Sequence, residues 1–583
     1  MTDDIDFESI LSSIADEKAR QGFRLLLNLV EQLVAENRAL REEVQRLKDE
    51  INRLKGEQGK PSFKGGKKTG EPVITVPLSK DHSSELERRQ PKEHHKSTKL
   101  DRIIVDRDEV LEVASTILPA DAVRKGYEEV VVQDLQIKTD NIRFFKEKWY
   151  SPSTRKTYLA ELPQGYSGEY GPGVKALALS LYFGGNMSQS KILEFFRNGG
   201  LFLSDGCLSG MLSGPSSGAS DGASNGASNG GHEEFEAEYD AIYRAGLKSS
   251  VWQGTDHTPT TVNGMGHECQ VVGNSLYSIY ATTERKDRLS ILDVLRNEHR
   301  KNIERTYLLG EQAYRYLDAF RLSGVIRTTL KGLLSEDPLP ESVFLGLLKE
   351  HLPQLTVQQF KAVCDAAAIA AYQASGEKGD WPVIELLLCD DAPAFKGITS
   401  KLALCWVHDG RHYKKLTPFV SLHRESLDKF REQFWSYYRK LLAYREQPGC
   451  REKRRLAREF DTLFGQTTGY DELDKRIARS RSKKESLLMV LDYPSVPLHN
   501  NDAELAARTR VRKRDVSFGP RSQAGIRAWD TFMSLQMTAR KLGVNFYHYL
   551  YDRISATYAM PALSTLIEQR SATPSRRARL AAA

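Results

Sequence analysis

Val383-Ile384-Glu385-Leu386-Leu387-Leu388-Cys389-Asp390 is an apolar run closed by a carboxylate. Its length and flanks predict a strand buried on both faces. Asp391 follows, but successive strand residues point to opposite faces, so only one of the two acids can serve the same side as the strand's end. Upstream, Ser250-Val251-Trp252-Gln253-Gly254-Thr255 is a second strand-like run ending in Asp256. A further run, Leu276 to Ala281, follows Gly-rich turns, which predicts a hairpin near Asp256. Downstream, His499-Asn500-Asn501-Asp502-Ala503-Glu504-Leu505-Ala506-Ala507-Arg508 reads as the first turn of a helix capped by Asn501, with Glu504 inside that turn.

Two strand ends and a helix start can converge on one point. Asp256, Asp390 and Glu504 so placed are similar to the carboxylate triad of metal-dependent DNA-cutting enzymes. Such a triad holds two Mg²⁺ ions through hard oxygen ligands, one ion activating an attacking hydroxyl and the other stabilising the leaving oxygen of a phosphodiester. A plainer reading stands beside this one. Glu504 is three residues after Asn501, as in a capping box, and is spaced for an i,i+4 pair with Arg508. Asp256 and Asp390 also suit strand-end turns.

The text around Glu504 separates these readings. Asn500-Asn501-Asp502-Ala503-Glu504, the basic stretch Arg508-Thr509-Arg510-Val511-Arg512-Lys513-Arg514, and Phe518-Gly519-Pro520-Arg521-Ser522 together resemble the C-terminal signature of IS66-family transposases. The helical segment Ala524 to Ile554, with Tyr547-His548-Tyr549-Leu550 near its end, is similar to that family's closing region. Asp390-Asp391-Ala392-Pro393-Ala394-Phe395 resembles its second Asp followed by an aromatic, in a register that favours Asp390. Cys405-Trp406-Val407-His408-Asp409-Gly410-Arg411 resembles its Cys-Trp-x-His-x-x-Arg element, read here as structural support because a lone Cys-x-x-His lacks the four ligands of a zinc site. The resemblance implies a ribonuclease-H-like catalytic domain of DDE type, with Asp256, Asp390 and Glu504 as catalytic and metal-binding residues. It also implies Arg508, Arg510, Arg512, Lys513, Arg514 and Arg521 on the backbone phosphates of element ends and target DNA, which position DNA without reading its sequence. The chain departs from the family pattern at Leu505, where Arg usually follows the Glu. A catalytically inactive DNA-binding or regulatory protein of the same fold is therefore the alternative, and a coiled-coil scaffold without a nucleic-acid role is a third reading.

The N-terminus carries a separate signal. Leu26, Leu33, Leu40, Leu47 and Leu54 recur every seventh residue, with Phe23, Val30, Asn37, Val44 and Ile51 at the accompanying a positions. A β-branched seam broken by one amide specifies a parallel two-stranded coil, in which Asn37 fixes register. The pairs Glu36 with Arg41, Glu43 with Lys48 and Glu50 with Lys55 attract across such a coil. A homodimer through residues 1–55 is the expectation.

The expected organisation continues with a basic linker over 56–100. A small β-rich module and a helix-turn-helix follow over 101–212, the latter formed by Lys175 to Phe183 and Ser188 to Arg197. A plain helical hairpin in a core fits those two helices equally well. A Gly/Ala/Ser/Asn tether spans 213–232, a catalytic domain with helical insertions 233–555, and a tail 556–583. The insertions are Glu304 to Ser375 and Leu422 to Leu491. The fold class expected is thus multidomain α/β. Related transposases often carry a Cys-rich zinc module in the N-terminal part, but no Cys precedes Cys207 here.

At 583 residues, with 28% charged and 40% hydrophobic residues and a net charge of +7, the composition is that of a globular protein with modest basic excess. Six scattered cysteines and the lack of a long apolar run or secretory signal predict an intracellular, cytoplasmic protein without a membrane span, and the resemblance implies that it is nucleoid-associated. Small accessory proteins of the same element are further partners that the resemblance allows.

Overall fold

The computed structural model describes residues 7–54, 104–114, 122, 126–135, 137–163, 165–166, 169–213, 230–301, 303–318, 320, 322–378 and 381–572. The expected linker over 56–100 and most of the tether lie outside the described residues. The molecule is a mixed α/β protein. Its strands are β1 (Lys148–Ser151), β2 (Lys156–Leu159), β3 (Trp252–Val262), β4 (Met265–Gly273), β5 (Ser278–Thr283), β6 (Thr306–Tyr307), β7 (Leu339–Pro340), β8 (Leu386–Cys389) and β9 (Lys401–Leu404).

Five of them form the central sheet in the order β5-β4-β3-β8-β9. β3, β4 and β5 are an antiparallel meander, and β8 and β9 run parallel to β3. The β3–β4 turn is Asn263-Gly264, both at positive φ (48° and 78°), the backbone that a tight two-residue hairpin requires. Every residue of β8 is buried, as its unbroken apolar run predicts. β3 does not end at Asp256. It continues to Val262, so the acid stands inside the strand, just beyond the point where pairing with β8 stops.

β5 is an edge strand, and its outward N–H groups need partners. The helix Gln523–Lys541 supplies them at one-turn intervals. Asp530 accepts from Thr282 N (2.8 Å), Ser534 Oγ from Tyr280 N (2.9 Å) and Thr538 Oγ1 from Ser278 N (3.3 Å). Residues at i, i+4 and i+8 line one helix face, so three small polar side chains substitute for a sixth strand.

Two helical insertions flank the sheet where the sequence places them. Between β5 and β8 lie helices Arg288–Leu295, Glu311–Leu317, Gly324–Gly332, Glu341–His351 and Val357–Lys378. Between β9 and the helix Asn501–Ser517 lie Trp406–Lys414, Ser421–Glu446, Cys450–Leu463 and Asp471–Arg481. Trp406, fully buried, donates from its indole N–H to Leu487 O (2.7 Å) and joins the second insertion to the sheet.

The N-terminal expectations are corrected in part. Among the described residues of 104–163 the regular structure is the β1–β2 hairpin. The two helices proposed to read DNA, Pro172–Leu179 (continued by a wider turn over Ser180–Gly184) and Gln189–Asn198, lie in the main core. Ala176, Leu179, Phe183, Ile192 and Phe196 are buried there, and Phe183 stacks on Phe532 at 5.2 Å. Their apolar faces pack in this core. At the other end the packed body runs past 555, because Leu563 and Ile567 of the helix Leu563–Ala572 are fully buried.

Glu17–Leu54 is one 38-residue helix. Leu27 packs on Leu11 and Val420. Glu31 accepts from Phe419 N (2.9 Å) and Val420 N (2.6 Å), and Asn28 bridges Gly469 O and Asp471 N. The heptad positions Leu26, Leu33, Asn37, Leu40 and Leu47 point away from this contact and are exposed; the side chain of Leu54 lies outside the described residues. Of the seam, the first a residue, Phe23, packs in the docked contact, while the leucines from Leu26 to Leu47 stay outside it.

Glu238, on the helix Gly230–Lys248, hydrogen-bonds with Tyr549 OH. Burial pushes its pKa up, to about 7, against the pull of Arg553. A carboxyl raised in the folded state contributes stability below its unfolded pKa that is lost as pH rises through the folded one. Glu238→Gln removes that dependence. Thermal melts of this variant and the wild type should differ progressively in the variant's favour as pH is raised from 5 to 8. A parallel pH dependence in the two proteins would contradict this.

Candidate active site

The ladder between β3 and β8 fixes the first two acids. Its register is Trp252↔Leu386, Gln253↔Leu387 and Gly254↔Leu388. Asp256 and Asp390 each lie two residues beyond the last of these rungs. Neighbouring strands lie about 4.8 Å apart, and residues level with each other in a parallel pair present side chains to the same face.

The third acid arrives on the helix Asn501–Ser517, which packs on β3 and β4. Asn500, and not Asn501, is the residue preceding the helix, and its side chain does not cap it. It donates instead to Thr255 O at 2.7 Å. Gly254 makes room for this contact, since a Cβ there would sit 2.9 Å from Asn500 Oδ1. The helix start is thus bonded to the strand residue beside Asp256, and Glu504 follows one turn later. Its partner is Arg411, whose guanidinium donates to Glu504 Oε2 at 2.9 Å, so the i,i+4 pair with Arg508 is not the one formed.

The electrostatics agree with this grouping. Burial raises the Asp256 carboxyl to about 6, and the charges of Glu504 and Asp390 push in the same direction, against the His257 N–H and Lys286. Asp391 is committed elsewhere, to Lys483 (2.6 Å) and Lys396 (3.5 Å). Lys483 also faces buried Asp409 at 3.6 Å, and Asp409 accepts from Ser480 Oγ at 2.6 Å. That network ties the second insertion to the loop after β8 and leaves Asp390 as the acid of its pair that faces the site.

Among the described residues, no three acid, histidine or cysteine side chains stand ready-made as a metal cage. Each acid has a protein donor: Asp256 Oδ1 accepts His257 N (2.9 Å), Asp390 Oδ1 accepts Ala392 N (3.1 Å) and Glu504 accepts from Arg411. Cys405 Sγ accepts His408 N (3.4 Å) and caps the helix Trp406–Lys414, so the Cys-x-x-His spacing serves a helix end.

The basic run divides by burial. Arg508, Arg512 and Arg521 are exposed, and Arg514 is half-buried, donating to Pro259 O (2.5 Å). Arg510 and Lys513 are corrections to the expected phosphate contacts, because both are interior. Arg510 pairs with buried Asp530 (3.3 Å), donates to Thr282 Oγ1 (2.8 Å) and lies over Trp529. Lys513 donates to Tyr182 O (2.6 Å) with its ammonium 3.2 Å from the Tyr182 ring centroid, while burial pushes its pKa down to about 6. A helix that packs on a sheet must turn some of its residues inward, and here positions 503, 506, 507, 510 and 513 do so.

Arg411, Asn500 and Lys483 are site residues for which the sequence reading gave no specific role. Arg411 was visible as the end of the Cys405 element, and a helix start at Trp406 would have placed it two turns from the cap. Lys483 had no local signal, since only the return of the insertion brings it to Asp391.

Residues 368–528 match the family model described as transposase IS66 family, a stretch that includes Asp390, Arg411 and Glu504. Over that segment the chain is similar to the IS66 transposase family. It is also 29% identical over 329 residues to the uncharacterized protein y4jO of Sinorhizobium fredii (strain NBRC 101917 / NGR234), covering 56% of this chain and 99% of that protein. No solved structure matches the chain. No described helix is long and apolar enough to cross a membrane.

The split of the basic run is testable without DNA. Lys513→Met should lower stability by roughly 1–3 kcal/mol, the cost of leaving buried carbonyls without their donor, whereas Arg508→Ala and Arg512→Ala should stay within roughly 0.5 kcal/mol. Urea denaturation midpoints check this, and equal midpoints for all three variants would contradict the division.

Proposed function

We propose that this protein is a DDE transposase that cleaves the ends of an insertion element and transfers them to target DNA. The observation that supports the reading is that the charges of Glu504 and Asp390 both act on buried Asp256, near the end of the β3–β8 ladder, while Asn500 ties the helix of Glu504 to β3. Strand order supports a ribonuclease-H-like catalytic domain: an antiparallel meander followed by two parallel strands, with acids on the first strand of the sheet, immediately after the fourth, and on a C-terminal helix.

In this reading Asp256, Asp390 and Glu504 hold two Mg²⁺ ions, which when bound supply Lewis-acid stabilisation of the attacking and leaving oxygens of the phosphodiester. Arg411 keeps Glu504 oriented while the site is empty of DNA. Asp391, held by Lys483, fixes the loop from which Asp390 projects. Arg508, Arg512, Arg514 and Arg521 contact backbone phosphates, and each such contact removed by substitution should reduce the salt slope of DNA binding by about 1. Water and a DNA 3′-hydroxyl can use the same site in turn, giving hydrolysis and then strand transfer.

The second reading, an inactive DNA-binding protein of the same fold, draws on the Glu504–Arg411 ion pair and on Leu505. Cleavage of DNA carrying the element's own ends in Mg²⁺ separates the two. Wild type and Asp391→Asn should cut, while Asp390→Asn and Glu504→Gln should lose activity by 10²-fold or more, on the order of the loss seen when a group acting in the transition state is removed. Binding without cutting by all four proteins would select the inactive reading.

The exposed leucine seam of Glu17–Leu54 is proposed as the dimer contact, a parallel coil formed with a second copy. Leu33→Asp combined with Leu40→Asp should convert a dimer to a monomer in sedimentation, with the fold unchanged by circular dichroism. A wild type that sediments as a monomer, or an unaltered dimer in the double variant, would contradict the coil.

A further inference from the structure

The helix that carries Glu504 ends at Phe518 in an unusual way. Phe518 adopts a left-handed backbone (φ 58°, ψ 8°) and its N–H closes the last turn on Arg514 O at 2.7 Å. That helix-ending position ordinarily takes glycine, because a Cβ is strained there. Its ring is nevertheless 82% exposed, so the strain is not repaid by burial in the chain itself.

The surrounding structure forces this placement. Thr261 Oγ1 donates to Phe518 O (3.1 Å), and Asn263 N donates to Pro520 O (2.9 Å). Gly519, at φ 90°, approaches so closely that a Cβ would sit 2.2 Å from Thr261 O. The turn 518–520 is therefore pinned to the tip of the β3–β4 hairpin, and β3 is the strand of Asp256. Beside it opens a cavity of about 550 Å³ whose lining includes Thr261, Arg285, Lys286 and Arg514, with Glu268 and Glu284. Lys286 lies close enough to act on Asp256.

We propose that Phe518 is a stacking platform for an unpaired nucleobase of the DNA end, with Arg514, Arg285 and Lys286 on the flanking phosphates. This rests on the transposase reading given above. An exposed flat apolar ring on a pinned backbone beside cations is the arrangement that binds single-stranded nucleic acid: the π-face takes any base and the cations follow the backbone. Unpairing a terminal base lets the strand bend towards the acids, and a platform offsets the lost stacking.

The test uses the full-length protein and an element-end DNA with 2-aminopurine at a terminal overhang. Wild type should alter the probe's fluorescence through stacking. Phe518→Ala should abolish that change and bind the overhang DNA roughly 10-fold more weakly, while its affinity for fully paired DNA stays within about twofold. Phe518→Trp should restore both signals, which a merely structural role for the ring would not produce. Phe518→Ala with wild-type fluorescence change and affinity would overturn the platform while leaving the transposase reading intact. Failure of the wild type to bind any of these DNAs would overturn both.

Discussion

The parallel pairing of β3 with β8 is the constraint on which the rest of the molecule depends. Three backbone rungs, from Trp252↔Leu386 to Gly254↔Leu388, decide which residues stand abreast where the strands diverge. A slip of one residue would turn Asp390 to the opposite face and put Asp391 in its place. The buried aliphatic run of β8 resists such a slip, because Leu386 to Cys389 pack on both faces and a shifted register would exchange their neighbours. The acids are close in space because hydrophobic residues fix the strands, and their mutual repulsion is tolerated as a consequence.

The same logic holds one layer out. The helix Gln523–Lys541 gives Asp530, Ser534 and Thr538 to the edge of β5, and Asp530 in turn pairs with Arg510 on the helix that bears Glu504. Removing one member of a buried pair leaves an uncompensated charge. The position of Glu504 is thus coupled to an edge strand on the far side of the sheet, and Lys513 anchors the end of its helix on Tyr182 and Met187. Arg510 and Lys513, which the sequence presents as part of a basic patch, hold the helix in place.

Much of this was legible in the sequence, and the parts that were not have identifiable causes. The apolar run before Asp390, the helix opened by Asn500 and Asn501, and the two helical insertions were readable from local pattern. β4 was missed although Asn263-Gly264 is a strong hairpin signal, because the glutamate, histidine and glycines of Met265–Gly273 obscure its alternation. The burial of Arg510 and Lys513 was not readable, since charge in a sequence does not reveal which face of a helix a sheet will cover. The two helices over 172–198 carry aromatic and aliphatic residues whose core partner, Phe532, lies more than 300 positions away and could not be read from local pattern. Docking of the N-terminal helix through Asn28 and Glu31 was likewise invisible, because it joins residues 388 to 443 positions apart.

The central claim is that Asp256, Asp390 and Glu504 form a single cation site. The most direct measurement is anomalous diffraction from crystals of the protein bound to DNA ends and soaked in Mn²⁺. The account predicts anomalous peaks coordinated by Asp256 and Asp390, one of them shared with Glu504 after its release from Arg411. Well-ordered Mn²⁺ bound elsewhere, with the three carboxylates still engaged by protein donors, would contradict it.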